Sequence, residues 1–206
     1  PAKTRELNIN EVKITVFDNK QEVDSIEGNL LIDKKILRGT AVFDAVRIIN
    51  RRNLKNFSMS IDFFPKISQK ELADEIHKAN SDKRNLVTIL QTLRMDRILA
   101  DNLSKELAKA FNSKDFLQVA EKLKQMPLGQ IKIRPLKEAI VSMGGISLSD
   151  INKENMESKL HGNLYFAGEV MDIDGPTGGY NLHAAFCTAQ LAIKNIREKI
   201  NPARSI

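Results

Sequence analysis

The sequence has few of the residues that carry disulfide or metal chemistry. Its 206 residues include one cysteine, Cys187, and three histidines, and there is no tryptophan. A single cysteine excludes an internal disulfide framework and fits a reducing compartment. Three dispersed histidines with one cysteine do not have a metal-ligand spacing, so we expect no bound metal.

Long apolar runs are also absent. No run approaches the roughly 18 residues that indicate a membrane-spanning helix, and the opening residues PAKTREL lack the apolar stretch of a signal peptide. Hydrophobic residues make up 42% and charged residues 28% of the chain, which is typical of a globular protein. We expect a cytoplasmic protein without membrane contact.

The positive charge is weak support for a nucleic-acid partner. Lys and Arg outnumber Asp and Glu by 32 to 26, and the densest basic cluster is Arg47, Arg51, Arg52 and Lys55. A nucleic-acid interface needs such a cluster on one face, preferably with aromatic residues for stacking. Because aromatic residues are only 5% of the chain, we favour a solvated basic face and expect no nucleic-acid partner.

Hydrophobic periodicity predicts strands first and helices next. Residues 12–16 and 57–63 alternate apolar and polar side chains, and 30–32 is a short apolar strand. Ser68 and Glu71 have capping-box spacing, and period-3.6 stripes continue to residue 125. We expect a helix over 41–49, short strands at 131–133, 139–143 and 164–167, and a last helix at 180–200.

Glycine is concentrated between residues 129 and 179, which hold eight of the ten. There, the run LYFA is followed by Gly168 and Glu169, and an acid after a strand can accept hydrogen bonds from ligand hydroxyls. Gly175, Gly178 and Gly179 then lead into the last helix, whose first N–H groups attract electron-rich ligands. The arrangement is typical of a nucleotide-cofactor site.

Common phosphate and calcium motifs do not explain this segment. The chain contains neither G-x-x-x-x-G-K-[ST] nor G-x-G-x-x-G. Asp172, Asp174 and Gly175 do not fit an EF-hand, because a glycine at loop position 6 would put Val170 first. Taken alone, the glycine loop is as compatible with a tight structural connection as with a ligand site.

Four motifs in order give the segment from Ala139 to Ala192 a family resemblance. They are MGGISL, MESKL, LYFAGE and DIDGPTGGYNL. This series resembles the C-terminal signature of the BaiN-like bacterial flavoproteins, which are NAD(P)/FAD-dependent oxidoreductases. Residues 1–138 resemble, more loosely, the insert domain of that family.

The resemblance implies an α+β fold with an FAD site. A β-rich part (1–66) and a helical part (67–128) of an insert domain would precede the C-terminal segment of a Rossmann-like FAD-binding domain (129–206). Glu169 would bond the ribityl chain, and the first amides of the last helix would lie near the flavin pyrimidine edge. The implied cofactor-binding residues are Gly168, Glu169, Gly175, Thr177, Gly178, Gly179, Tyr180, Asn181 and Leu182.

The resemblance assigns no catalytic residue to this chain. Redox chemistry would belong to the flavin, and the complete enzyme would move hydride between NAD(P)H, FAD and an unknown small organic acceptor. His183 stands where family members often carry glutamine, and its role is open.

The chain resembles the C-terminal half of such an enzyme. Family members begin with a βαβ unit whose G-x-G-x-x-G holds the FAD pyrophosphate, and this motif is absent here. We expect the chain to need that N-terminal half as its partner, and to be inactive and bind FAD weakly or not at all by itself. The alternative is a non-enzymatic module, without flavin, for folding or oligomer contacts.

Overall fold

The structure is a computed structural model that describes residues 6–33, 36–139 and 141–201. The chain separates into two compact units, Pro1–Ile133 and Arg134–Ile206. The first contains an antiparallel sheet and helices, and the second contains most of the glycines and the last helix. The division expected at residues 66 and 128 stays a prediction.

A five-stranded antiparallel sheet forms the base of the first unit. Its strands are Leu7–Asp18 (β1), Gln21–Asp33 (β2), Ile36–Arg38 (β3), Phe57–Asp62 (β4) and Met126–Pro127 (β5). Their order across the sheet is β3-β2-β1-β4-β5. The strands expected at 12–16, 30–32 and 57–63 are therefore confirmed, although the last ends one residue early. The sequence pattern did not predict β5, which pairs with β4.

Asn19 and Lys20 form the two-residue turn between β1 and β2. Both have positive φ, 48° and 69°, as in a type I′ turn, whose twist matches that of the flanking strands. Asp18 pairs with Gln21 directly beyond the turn. These polar turn residues close the hairpin.

The first helix, Thr40–Arg51 (α1), packs on β1 and β2. Gly28 of β2 allows this close approach, because a Cβ there would lie 2.5 Å from Thr40 Oγ1. The Thr40 backbone N–H donates to Asn29 Oδ1 at 2.7 Å, and Thr40 Oγ1 accepts from the Asn29 N–H at 3.0 Å. The start of the helix is thus held on the sheet.

Four more helices complete the first unit, and each begins at a polar N-cap whose side chain accepts a backbone hydrogen bond. At Ser68 the predicted capping box is present, with Glu71 bonding back to the Ser68 N–H. The other N-caps are Asn85, Asp96 and Asp115. The helices are Gln69–Ser81 (α2), Leu86–Thr92 (α3), Arg97–Asn112 (α4) and Phe116–Lys124 (α5).

One hydrophobic core joins the sheet to these helices. Ile14 and Leu30 on the sheet and Ile76, Leu107 and Leu123 on the helices have no exposed side-chain surface. Burying each such side chain contributes about 1.5–3 kcal/mol to folding. The apolar side chains of the period-2 strands and of the period-3.6 helices therefore face the same interior.

The second unit has less regular structure than its sequence suggests. Among its described residues none belongs to a named strand, so the strands expected at 139–143 and 164–167 are wrong, as is the one at 131–133; Ile140 lies outside the described residues. Pairing occurs only at isolated bridges, such as the parallel bridge between Ile146 and Met171. A segment with a period-2 pattern forms a strand only when another strand pairs with it. The local sequence does not show whether such a partner strand is present.

The last helix, Tyr180–Ile200 (α6), is confirmed with the expected bounds. It packs on a small core that contains Ile151, Met156, Met171 and its own Ala192. None of the helices that the structure describes is long and apolar enough to cross a membrane.

Candidate functional site

The glycine loop before α6 has a backbone that requires glycine. Gly178 and Gly179 have φ of 135° and 89°, which are unfavourable for residues with a Cβ. Gly179 is the N-cap of α6, and the first amide bonded within the helix is that of His183, which donates to the Gly179 carbonyl at 3.0 Å. The backbone amides of Tyr180, Asn181 and Leu182 therefore have no acceptor within the helix.

Asn181 closes this loop. Its Oδ1 accepts a hydrogen bond from the Gly175 N–H at 2.8 Å. A Cβ on Gly175 would lie 3.1 Å from the Tyr180 Cβ and 3.2 Å from the same Oδ1, so a larger residue would require these atoms to shift by a few tenths of an ångström. The structure therefore brings together two predicted site residues, Gly175 and Asn181, and gives each a structural reason.

The turn at Gly168 packs on α6 at Ala185 and Thr188. The Gly168 N–H donates to Thr188 Oγ1 at 3.0 Å, and a Cβ on Gly168 would lie 3.3 Å from that of Ala185. Residues Gly168–Val170 form one turn of 3-10 helix, with Glu169 exposed. Glu169 thus follows a tight turn rather than the expected strand. Sequence reasoning missed Thr188, and its pattern contains no signal for this long-range contact.

Gly145 allows two backbone segments of the second unit to lie close together. Ile146 donates its N–H to the Val170 carbonyl and accepts from the Asp172 N–H, each at 2.9 Å. A Cβ on Gly145 would lie 2.6 Å from the Val170 carbonyl oxygen. Gly145 therefore admits the chain's own backbone, whereas a Cβ on Gly144 would meet no described atom within 4 Å.

The remaining predicted site residues lie at the surface of the same loop and helix start. Thr177, Gly178 and Gly179 are exposed, and Tyr180 and Leu182 are 60% and 78% exposed. These five residues are thus exposed around the N-terminus of α6.

His183 and Cys187 are neighbours on the exposed surface of α6. The Cys187 Sγ lies 3.5 Å from His183 Nε2, as the i, i+4 spacing permits. Within the described ranges, no three His, Cys, Asp or Glu side chains come together as a possible metal site.

An ion pair attaches the segment before the Gly168 turn to the end of α6. Glu157 Oε1 lies 2.9 Å from Lys199 Nζ and accepts the Asn163 N–H at 2.7 Å. The hydrogen bond from Asn163, and then that from Lys199, lower the pKa of Glu157. The hydrogen bond to Glu157 raises the pKa of Lys199. Both groups are therefore held in their charged forms.

A comparison with protein families found a model that matches most of the chain. The family model of the HI0933-like protein Rossmann domain matches residues 6–195. A ribosomal RNA dihydrouridine synthase of Haemophilus influenzae is 34% identical over 146 residues, which cover 64% of this chain and 34% of that protein. The chain thus spans about a third of that relative's length.

Two further relatives match shorter stretches. A ribosomal RNA dihydrouridine synthase of Escherichia coli is 40% identical over 53 residues, 26% of this chain and 13% of that protein. A 3-dehydro-bile acid delta(4,6)-reductase of Clostridium scindens is 36% identical over 61 residues, 30% of this chain and 15% of that protein.

Proposed function

Because the chain belongs to the family of the HI0933-like protein Rossmann domain, we propose that it is part of an FAD-dependent oxidoreductase. The observation that carries this proposal is the start of α6, where a glycine loop with positive φ leaves three helix amides without acceptors in the helix. Such a helix start favours an electron-rich ligand edge.

The proposal gives these residues specific roles toward a flavin. The amides of Tyr180, Asn181 and Leu182 would hold the pyrimidine edge of the ring and would stabilise negative charge there. Glu169 is exposed on the adjacent turn and would accept hydrogen bonds from the ribityl hydroxyls. Gly168, Gly175, Thr177, Gly178 and Gly179 would supply backbone that allows close approach.

The flavin, when bound, would accept hydride from NAD(P)H and pass it to an organic acceptor. This chain would bind and orient the ring and supply the electrostatic environment. The names of the relatives make two acceptors the first to test, a uridine of ribosomal RNA and a 3-dehydro-bile acid. The RNA relative matches more of this chain, which makes RNA the first choice and reopens the question of a nucleic-acid partner.

A second polypeptide segment would complete the FAD site. The pyrophosphate needs a glycine motif of the G-x-G-x-x-G kind at the start of a helix, and this chain has none. We therefore assign that role to the part of the Haemophilus influenzae relative that lies outside its matched residues. By itself the chain would bind FAD weakly, and FAD that copurifies with it in equal amount would contradict this.

The test uses the part of the Haemophilus influenzae relative outside the 146 matched residues, here called the complement. We expect this chain and the complement together to bind FAD, as measured by flavin absorbance, and to oxidise NADH or NADPH. Gly179→Ala should weaken FAD binding at least tenfold, because φ is 89° there.

Two variants make the flavin test specific. Gly162→Ala is the matched control, because Gly162 has ordinary φ and open space around it, and it should bind FAD like the wild type. Glu169→Ala should weaken binding through the lost ribityl hydrogen bonds. Equal FAD affinity in all three variants would contradict the assignment of this loop.

A further inference from the structure

The first helix, α1, has a polar side opposite to the side that packs on the sheet. Its apolar residues, among them Ala45 and Ile49, are buried in the core of the first unit. Residues three and four apart along the other side share one face of the helix. This face, here called the α1 outer face, consists of Phe43, Arg47, Asn50 and Arg51.

The α1 outer face carries positive charge. Asp44 is the only acidic residue in the segment 40–56. Its side chain is 12% exposed and lies 3.6 Å from Arg47 Nε, so its charge is directed at that half-buried arginine. The exposed charges of the segment are therefore all cationic.

Two arginines stand together where the helix ends. Arg51 is exposed, and it is followed by the C-cap residue Arg52. Arg52 lies 3.6 Å from Asp24 of β2, with 53% and 44% of the two side chains exposed. An ion pair so exposed to water is weak, so a phosphate can compete with Asp24 for the Arg52 guanidinium.

An aromatic ring lies on the same face as these cations. Phe43 is 41% exposed, and it is the only exposed phenylalanine among the described residues of the first unit. It precedes Arg47 by one helical turn, about 6 Å along the axis. A merely solvated basic face does not require an aromatic ring, whereas RNA-binding surfaces combine cations for phosphates with rings on which bases stack.

We infer that the α1 outer face, together with Arg52, binds single-stranded RNA. Arg51 and Arg52 contact phosphates, and Phe43 stacks on an unpaired base. The inference rests on the proposed function, in which a uridine of ribosomal RNA is the first acceptor to test. It adds a binding surface in the first unit, apart from the residues assigned to the flavin. Unpaired bases are the target because their faces are free to stack on a side chain.

The first experiment measures the charge contacts. The full chain, without flavin, is titrated into a fluorescent oligouridine at several salt concentrations, and anisotropy gives the dissociation constant. The double variant Arg51→Gln/Arg52→Gln should raise the dissociation constant at least tenfold at low salt. It should also lower the salt slope by about 1.4, because each phosphate contact on a single strand contributes about 0.7.

A matched variant separates this face from the general charge of the chain. Lys109→Gln/Lys122→Gln removes the same charge from exposed positions on α4 and α5. It should bind oligouridine with the dissociation constant and the salt slope of the wild type.

The second experiment measures stacking. Phe43→Leu keeps an apolar side chain but removes the ring, and it should weaken oligouridine binding at least fivefold without changing the salt slope. Leu117→Ala removes an apolar side chain that is 56% exposed on α5 and should have no effect. The wild type should prefer oligouridine to its duplex with oligoadenosine, and Phe43→Leu should lose this preference, since charge density alone favours the duplex.

Other outcomes would overturn the inference. Circular dichroism checks that the variants remain folded. The assignment is wrong if the wild-type chain does not bind oligouridine, if it prefers the duplex, or if the lysine variant loses as much affinity as the arginine variant. Binding to phosphatidylserine vesicles through Arg51 and Arg52, without binding to RNA, would assign the face to an anionic membrane surface.

The RNA surface and the flavin site can fail separately. RNA binding that depends on Arg51 and Arg52, with no FAD bound by the chain and its complement, would retain the surface and contradict the flavin assignment. Binding of FAD and oxidation of NADPH without any RNA binding would retain the oxidoreductase and overturn the RNA surface.

Discussion

Asp62 at the end of β4 and Lys124 at the end of α5 form a buried ion pair, with 2.8 Å between Oδ2 and Nζ and side chains only 5% and 16% exposed. Lys124 also donates to the carbonyls of Phe64 and Ile67, at 2.7 and 2.6 Å. Asp62 Oδ1 accepts the Phe64 N–H at 2.8 Å. All three ammonium protons thus have acceptors, and the pair holds the loop after β4 against α5.

Removing one partner of this pair should destabilise the first unit strongly. Lys124→Met leaves Asp62 buried without its cation, and we expect a loss of about 3–5 kcal/mol in the free energy of unfolding. Urea denaturation measures it. Lys105→Met is the control, because the Lys105–Asp101 pair has 70% and 52% exposed side chains and should contribute no more than about 1 kcal/mol. Similar losses in both variants would contradict this.

Adding a methyl group should have different effects at three glycines of the second unit. Gly145→Ala should be the most destabilising, because its Cβ would lie 2.6 Å from the Val170 carbonyl oxygen. Gly144→Ala should cost about 1–2 kcal/mol from the positive φ of 103° alone, and Gly162→Ala should be near neutral. Thermal unfolding gives the order. Equal stability of the first two would show that the close backbone approach is not rigid.

Acid should weaken the second unit through Glu157. Its pKa is lowered by the hydrogen bonds from Asn163 and Lys199, so its contribution is complete above the unfolded pKa of about 4.3. The contribution is lost as the pH falls through the lower, folded pKa. Glu157→Gln should flatten the pH dependence of unfolding below that value. Glu154 is an exposed neighbour, and Glu154→Gln should keep the pH profile of the wild type. If Glu157→Gln had the same pH profile as Glu154→Gln, Glu157 would not be the cause of the acid effect.

The glycine loop should open when Asn181 loses its acceptor oxygen. In Asn181→Ala, the Gly175 amide loses its 2.8 Å hydrogen bond, and its hydrogen exchange should become at least tenfold faster. Asn181→Asp keeps an oxygen at this place and should retain the protection. Hydrogen exchange measured by NMR tests both without flavin. Slow exchange in Asn181→Ala would mean that the loop is closed by other contacts.

The start of α2 could be predicted because its cause lies within a few residues. The capping box at Ser68 and Glu71 depends on hydrogen bonds between neighbouring residues. The bounds of α6 followed from its glycines and its apolar period for the same reason. The clustering of glycine also indicated the loop whose backbone has positive φ.

Pairing between distant segments had no such local cause. The pattern at 164–167 predicted a strand, and the structure has none there, whereas Met126 and Pro127 pair with β4 without a strand pattern of their own. Likewise, the contact of Gly168 with Thr188 connects residues that no local rule relates.

Local sequence determined the helices, the turns and the glycine loop of this protein, since propensity and capping act over a few residues. The tertiary structure alone decided which apolar face of α6 is buried. Its sequence pattern contains both the covered face, which includes Ala192, and exposed apolar residues such as Leu182 and Phe186. Burial depends on which surfaces meet across the fold, and hydrophobic free energy is gained only where apolar surface leaves water.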